Sequence, residues 1–318
     1  MEEDEVCGEG VGCMNVLDRL KNAYAGGGLR EIARKSFFHC IYRINNYKTK
    51  FIVNHKKIEY GLNTTEAREK KVIVSLTSFP PRFDRIHVCL KSLLLQRVKP
   101  DKIIVYFASD TPKNSLTNEM LQLEKYGVEF RFDETRNLRS HTKYFYAMQE
   151  FPEDLIVTAD DDLYYPSDWL ESLLKSYKRH PDAISARRVH RMKRDDKGLL
   201  LYNLWEDQCR GVRKPSNDLL ATGCGGVLYP PHCLDARVFD EKNIKELCYA
   251  ADDIWLKCME ILSKTPVVWA KNWEVDQLGV ESVQKEALSS QNVDRLHNDT
   301  CLKNVMDYYN IPVEIFFN

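Results

Sequence analysis

Asp160, Asp161 and Asp162 stand in a row directly after the apolar run Leu155, Ile156 and Val157, inside L-I-V-T-A-D-D-D-L-Y-Y-P from Leu155 to Pro166. The run is short and rich in β-branched residues. It predicts a strand buried on both faces of a parallel sheet. In an open α/β sheet the C-terminal ends of the strands are where ligands bind. Alternate residues of extended chain point the same way, so Asp160 and Asp162 can converge on one ion while Asp161 faces elsewhere. Clustered carboxylate oxygens suit a hard divalent cation, Mn²⁺ or Mg²⁺, which can bridge to a diphosphate. A second acid pair, Asp252 and Asp253, opens the helical stretch A-D-D-I-W-L, where the helix dipole favours negative charge. Gly223, Gly225 and Gly226 permit a close backbone approach to a ligand, or a turn with positive φ.

The elements that must position these residues alternate. Val72–Thr77, Ile103–Ala108, Val128–Phe132 and the run before the acids read as strands. Ile86–Gln96, Leu116–Lys125 and Thr142–Gln149 read as the helices between them. That order requires right-handed crossovers and a mostly parallel central sheet with flanking helices. After the acids come a helix over Asp168–Arg179, N-capped by Ser167 or Asp168, a strand over Ala183–Val189, a helix over Ala250–Leu262 and a short strand over Val267–Trp269. From Asp276 onward the tail reads as polar and loop-rich.

The N-terminal part reads as an extension. Gly26, Gly27 and Gly28 make a flexible break. Leu29–Ile44 is a basic amphipathic helix, of a kind that lies on a membrane surface or packs on protein. Lys48–Lys71 reads as a polar connector. The division expected is an extension over residues 1–70 and a catalytic domain over 71–318.

A formal net charge of −1 supplies no global field that points to nucleic acid or to an anionic membrane. There is no apolar run of membrane-spanning length, and the acidic start M-E-E-D-E-V-C is not a signal peptide. The ten cysteines show no C-x-x-C pair and no zinc spacing, so they read as small buried hydrophobes of a reducing compartment. The expected location is the cytoplasm, or the inner face of a membrane if the basic helix lies on it.

The acid row and the order of elements from Lys71 to His297 resemble the A-type glycosyltransferase fold, in particular bacterial inverting family 2 enzymes and their capsular or surface-polysaccharide relatives. The resemblance implies transfer of a sugar, UDP-linked, from a nucleotide-sugar donor to a glycan or lipid-linked acceptor. It implies that Asp160 leans to the ribose and metal, that Asp162 binds the metal directly, and that His297 is a third metal ligand. Thr77, Arg82, Asp110, Lys143 and Asp161, with Gly225 and Gly226, would meet the donor, Lys143 near the diphosphate. The A-D-D-I-W-L pattern is similar to an E-D-x-x-L motif that supplies the general base. Asp252 replaces its Glu, which leaves open which acid is the base; Asp253 matches the motif's Asp and is preferred.

Two rivals stand beside this reading. A sugar-1-phosphate nucleotidyltransferase would need a Gly-rich basic loop after the first strand, and S-L-T-S-F-P-P-R has no glycine. A catalytically silent nucleotide-binding module would be expected to lose one of the two acid pairs, and both are present. There is no G-x-G-x-x-G after the first strand and no G-x-x-x-x-G-K, which counts against dinucleotide redox chemistry and P-loop hydrolysis.

Overall fold

Seven strands form one sheet: β1 (Val72–Thr77), β2 (Lys102–Phe107), β3 (Val128–Phe132), β4 (Leu155–Thr158), β5 (Ile184–Ala186), β6 (Val227–Tyr229) and β7 (Val267–Trp269). The computed structural model describes residues 36, 37, 39–273, 278–280 and 297–318. Across the sheet the order is β7-β5-β6-β4-β1-β2-β3. β4, β1, β2 and β3 pair in parallel, as do β5 and β7, while β6 runs antiparallel to both of its neighbours.

β1 shows why these residues make a central strand. Val72, Val74 and Leu76 enter one apolar layer and Ile73 enters the other, so both faces are buried. Helices α2 (Ile86–Leu94) and α5 (Trp169–Arg179) cover the first face with Leu90, Leu93, Trp169 and Leu173. Helices α4 (Thr142–Glu150), α7 (Asp252–Leu262) and α8 (His297–Tyr309) cover the second with Tyr144, Trp255 and Val305. Burying such a side chain contributes about 1.5–3 kcal/mol relative to leaving it exposed. The result is a three-layer α/β sandwich with its ligand edge at the C-terminal ends of β1, β2 and β4.

Several boundaries differ from the sequence expectation. The strand expected over Ala183–Val189 is broken at Arg187 and Arg188. β5 stops at Ala186, and Val189–Arg191 leaves to pair antiparallel with Leu219–Ala221. The helix over Leu116–Lys125 is one turn, α3 (Asn118–Leu121), followed by the 3-10 turn Glu124–Tyr126, which Gly127 ends at φ 94°. Asp168 is the N-cap of α5, yet its side chain makes no capping bond. The stretch expected to be a connector from Lys48 begins as helix, since residues 39–55 are helical (α1). The tail expected to be loop-rich contains α8 and the 3-10 turn Val313–Phe317. The break at Gly26–Gly28 lies outside the described residues, as do the first seven residues and Phe38 of the helix expected over Leu29–Ile44.

The chain divides into two compact units. The larger, Asn46–Asn272 with Gln277–Asn318, contains every candidate site residue; the smaller is Met1–Asn45 with Trp273–Asp276. Among the described residues no helix is long and apolar enough to cross a membrane. The eight cysteines described are free thiols, and six of them are buried.

Candidate active site

The acid row leaves the end of β4 and enters a turn at Asp161 and Asp162, so the row does not keep the alternation of extended chain: Asp161 and Asp162 share Arg82, and Asp160 faces Lys143. Asp161 turns inward and is 4% exposed; its carboxylate accepts from the Ser78 hydroxyl and from the Arg82 guanidinium. Asp162 Oδ2 lies 3.4 Å from Arg82 Nη1. Burial opposes the charge on Arg82, but Asp161 and Asp162 outweigh it and hold the guanidinium protonated. Asp160 is gripped through its backbone. Its N–H donates to the Tyr165 hydroxyl at 2.7 Å, and that hydroxyl lies 3.3 Å from its carbonyl. The Cys89 thiol donates to the same carbonyl at 3.2 Å.

Lys143 connects this row to the second acid pair. The residue is 4% exposed, and its Nζ stands 2.9 Å from Asp160 Oδ1 and 2.9 Å from Asp252 Oδ2. Desolvation works against the ammonium, yet Asp160, Asp252 and Asp253 together raise its pKa well above the ordinary value. A surface lysine is the commonest fate of that residue type; here the helix α4 aims it into the sheet edge. Its carbonyl accepts from the Ser75 hydroxyl at 2.5 Å, which ties α4 to β1.

Asp252 and Asp253 are neighbours with opposite shifts. Burial disfavours charge on Asp252, but Lys143 more than offsets it and holds the carboxyl below its ordinary range. Asp253 is pushed up to about 7, first by burial and then by the charge of Asp252. Its Oδ1 accepts from the Gly223 N–H at 3.0 Å. His141 supports the approach to this pair. Nε2 lies 2.9 Å from the Cys248 carbonyl and so donates to it, leaving Nδ1 to accept from the Tyr144 hydroxyl at 2.8 Å. Burial pushes the imidazole down to about 4, so it is neutral.

The three glycines divide by role. A Cβ on Gly223 would lie 2.7 Å from Lys143 Nζ and 3.1 Å from Asp253 Oδ1, so Gly223 is the glycine that lets backbone meet the charged centre. Gly225 and Gly226, expected at the donor, serve packing. A Cβ on Gly225 would meet Arg188 at 2.6 Å, and one on Gly226, at φ +87°, would lie 2.3 Å from the Trp169 indole nitrogen.

Thr77, Asp110, Arg82 and Asp161 have protein partners of their own. The Thr77 hydroxyl donates to the Tyr106 carbonyl at 2.8 Å. Asp110 is exposed and accepts from Asn137 Nδ2 at 2.8 Å. Arg82, expected at the nucleobase, is committed to Asp161 and Asp162, and Asp161 has both oxygens engaged by protein partners. His297 is the first residue of α8. Among the described residues no three of His, Cys, Asp and Glu form a group that could hold a metal ion, so His297 does not join Asp160 and Asp162. Sequence reasoning missed Ser78, Cys89, His141 and Tyr165. Only Tyr165 carried a signal, the aromatic pair that follows the acids.

Asp160 and Asp162 nonetheless fit a divalent cation. Mg²⁺-type ions are commonly held by one or two carboxylates, with water and substrate phosphate completing the shell, so a third protein ligand is not required. Asp162 is pushed up to about 6 by burial, then by Asp160 and Asp161. A positive ion there would relieve that repulsion.

Residues 81–229 match the family described as Glycosyl transferase family 2. No curated protein matches the chain. Among solved structures, the chain is similar to the mannosyltransferase PcManGT from Pyrobaculum calidifontis in complex with GDP-Man and Mn²⁺, at 11% identity, 87% of this chain, 84% of that chain and a TM-score of 0.41. It is also similar to a 4-diphosphocytidyl-2C-methyl-D-erythritol synthase at 9% identity, covering 72% of this chain and 100% of that chain, with a TM-score of 0.40. A putative glucose-1-phosphate thymidylyltransferase from Bacillus anthracis shows 13% identity over 72% of this chain and 96% of that chain, with a TM-score of 0.39. The sheet order with its one reversed strand, together with the family 2 match over residues 81–229, identifies the chain as a glycosyltransferase of the A-type fold.

Proposed function

We propose that the chain moves a sugar from a UDP-linked donor to a hydroxyl of a glycan or lipid-linked acceptor, with inversion and with a divalent metal ion. The observation that carries this reading is the split between neighbouring carboxylates. Asp252 is held ionised by Lys143, and Asp253 is pushed up to about 7 beside it. Titratable neighbours driven apart by their surroundings mark an acid–base assignment. A general base works best with a pKa near the working pH. Asp253 accordingly takes the proton of the acceptor hydroxyl. The oxygen then attacks the anomeric carbon from the face opposite the diphosphate, and the bond from that carbon to the diphosphate breaks.

Asp252 is a positioning residue that, with Lys143, sets the charge around Asp253. Asp160 and Asp162 would hold Mn²⁺ or Mg²⁺, which when bound offsets the charge growing on the leaving diphosphate. Thr77 and Asp110 line the same strand ends and are proposed donor contacts. Residues 71–318 form the catalytic region in this reading. The resemblance of the acid row supports surface-polysaccharide synthesis on the cytoplasmic side of a membrane as the setting.

The test is release of nucleoside diphosphate from a set of nucleotide sugars, with Mn²⁺ and with a chelator. Release that needs the metal and disappears in Asp253→Asn, with an inverted anomer by NMR, is the expected result. Pyrophosphate release from a nucleoside triphosphate and a sugar 1-phosphate would overturn it and establish nucleotidyl transfer.

A further inference from the structure

Helix α1 carries an apolar stripe on its outer side. Tyr47 and Phe51, both in the large unit, are 75% and 53% exposed, at a spacing of four residues. The opposite side is buried at Thr49 and Val53, so the stripe is the face the large unit leaves uncovered from Asn46 onward. In the sequence the apolar spacing of three and four continues back to Ile44, Cys40 and Phe37. Exposed basic residues of the large unit flank the stripe: Lys48, Lys56 and Lys57.

The charge around this helix is one-sided. From Ile32 to Ile58 there is no Asp or Glu, while Arg34, Lys35, Arg43, Lys48, Lys50, Lys56 and Lys57 are all cationic. The whole chain has a formal net charge of −1, so the rest of it is acidic. A helix with aromatic and aliphatic residues on one side and an unbroken set of cations around them is built to lie in a lipid interface.

We propose that the outer face of α1 docks on an anionic lipid bilayer, with Tyr47 and Phe51 entering the headgroup region and the flanking Lys and Arg residues meeting the lipid phosphates. Two other occupants fit less well. A second copy of the helix would bring like charges together, which opposes pairing. Single-stranded nucleic acid would need free ring faces, and these rings stack on one another. Tyr47 and Phe51 lie at 6.5 Å and 23°, Phe51 and His55 at 4.5 Å and 23°. The surface also lies beside the catalytic edge. Lys50 Nζ is 5.9 Å from the ring centroid of Tyr164, the second residue after Asp162. Docking would therefore set the acid row next to the bilayer.

The experiment is flotation of the full chain with vesicles of phosphatidylcholine alone and of phosphatidylcholine with phosphatidylglycerol. The chain is expected to float with the anionic vesicles only. Lys48→Glu/Lys56→Glu/Lys57→Glu should lower partition on the order of a hundredfold or more, since each basic residue near an anionic surface contributes on the order of fivefold. Tyr47→Ser/Phe51→Ser should lower it at unchanged charge, and both variants should keep the parent melting temperature because the changed side chains are exposed. Absence of flotation with anionic vesicles, or equal flotation of parent and both variants, would overturn the proposal. So would a dimer by sedimentation velocity that Phe51→Ser dissolves, or RNA binding that the charge variant abolishes in a chain that does not float. Flotation is read without turnover, so its failure leaves the proposed chemistry untouched, and the reverse holds.

Discussion

The backbone N–H of Gly223 donates to Asp253 Oδ1 at 3.0 Å, and the place a side chain on Gly223 would occupy is already filled by that carboxylate and by Lys143. The atoms in the way are the ends of flexible side chains, so they can move. Gly223→Ala is therefore expected to fold with a melting temperature close to the parent and to lose turnover by about tenfold or more, a barrier change of about 1.4 kcal/mol. A steady-state assay beside a thermal melt checks it. Normal turnover would mean that the Gly223 contact does not position Asp253.

Asp253→Asn should lower kcat by about 10²–10⁴-fold while donor binding changes little, because the base is needed only as the proton leaves. Asp252→Asn should cost less, since its role is to hold Lys143 and shape the field at Asp253. Calorimetric titration of nucleoside diphosphate with Mn²⁺, run beside kinetics, separates binding from chemistry. A dead Asp252→Asn beside a nearly normal Asp253→Asn would exchange the two roles.

Lys143→Met removes the cation that stands 2.9 Å from an acid of each pair, Asp160 and Asp252. Truncating one partner of a buried ion pair costs about 3–5 kcal/mol, and Asp160 is partly exposed, so about 3 kcal/mol is expected here by denaturant unfolding. Adding Asp252→Asn to Lys143→Met should recover part of the loss, because it removes a carboxylate the lysine had neutralised. A double variant less stable than the single would show that Lys143 acts through packing alone.

Gly226→Ala is expected to destabilise by about 1–3 kcal/mol, for two reasons that add. Its φ is +87°, and its Cβ would press on the buried Trp169 ring, which packs inside the sandwich. In contrast to Gly223→Ala, the loss should appear in the melt.

Stability should fall as pH rises through neutrality, and part of that fall belongs to Glu260. Burial pushes its carboxyl up to about 7, against the pull of Lys257 at 3.2 Å. The folded chain then holds a proton that the unfolded chain, with an ordinary value of 4.5, has released. That contribution is complete below about pH 4.5 and is lost as pH rises through about 7. Thermal melts from pH 5 to 8 should slope downward in the parent and less steeply in Glu260→Gln; parallel slopes would assign the titration elsewhere.

The parallel strands β1 to β4 were legible because each is an apolar run of the right length next to a helix pattern, whereas β6, three residues long and following a glycine-rich turn, gave no such run. Asp160, Asp162 and Asp253 stood out as candidates because acids cluster directly after a buried strand and at the start of a helix. Residues whose role depends on contacts far along the chain were not. Arg82 and Asp161 are 79 positions apart, and nothing local announces that the guanidinium belongs to the acid row. Tyr165 and Cys89 grip a backbone, which any nearby hydroxyl or thiol can do. The break at Arg187 and Arg188 was hidden because the apolar residues on either side of it continue one strand-like pattern. Helix α1 ran on through Lys48 because the buried residues that hold it there, Thr49 and Val53, are too few to stand out among lysines.

The reversed strand β6 has a consequence for how this protein can vary. Val227 pairs with Thr158 and with Ala186, so the chain leaves the sheet after β5 and returns at β6 on the same rim, the one carrying the acids. Everything between, residues 187–226, is one excursion that starts and ends on the catalytic rim, forms its own ribbon of Val189–Arg191 and Leu219–Ala221, and reaches the start of β7 through Ser216 and Val267. Within it, the small hairpin over residues 194–199, with Arg194 and Asp195 exposed, pairs only with itself, so lengthening that hairpin leaves the strands of the central sheet alone. The turn after Tyr229 opens on the opposite rim, beside exposed His232 and Glu153. A fluorescent tag or tether inserted there hangs from the rim opposite the acid row, so one rim can carry a label while the candidate site on the other stays uncovered.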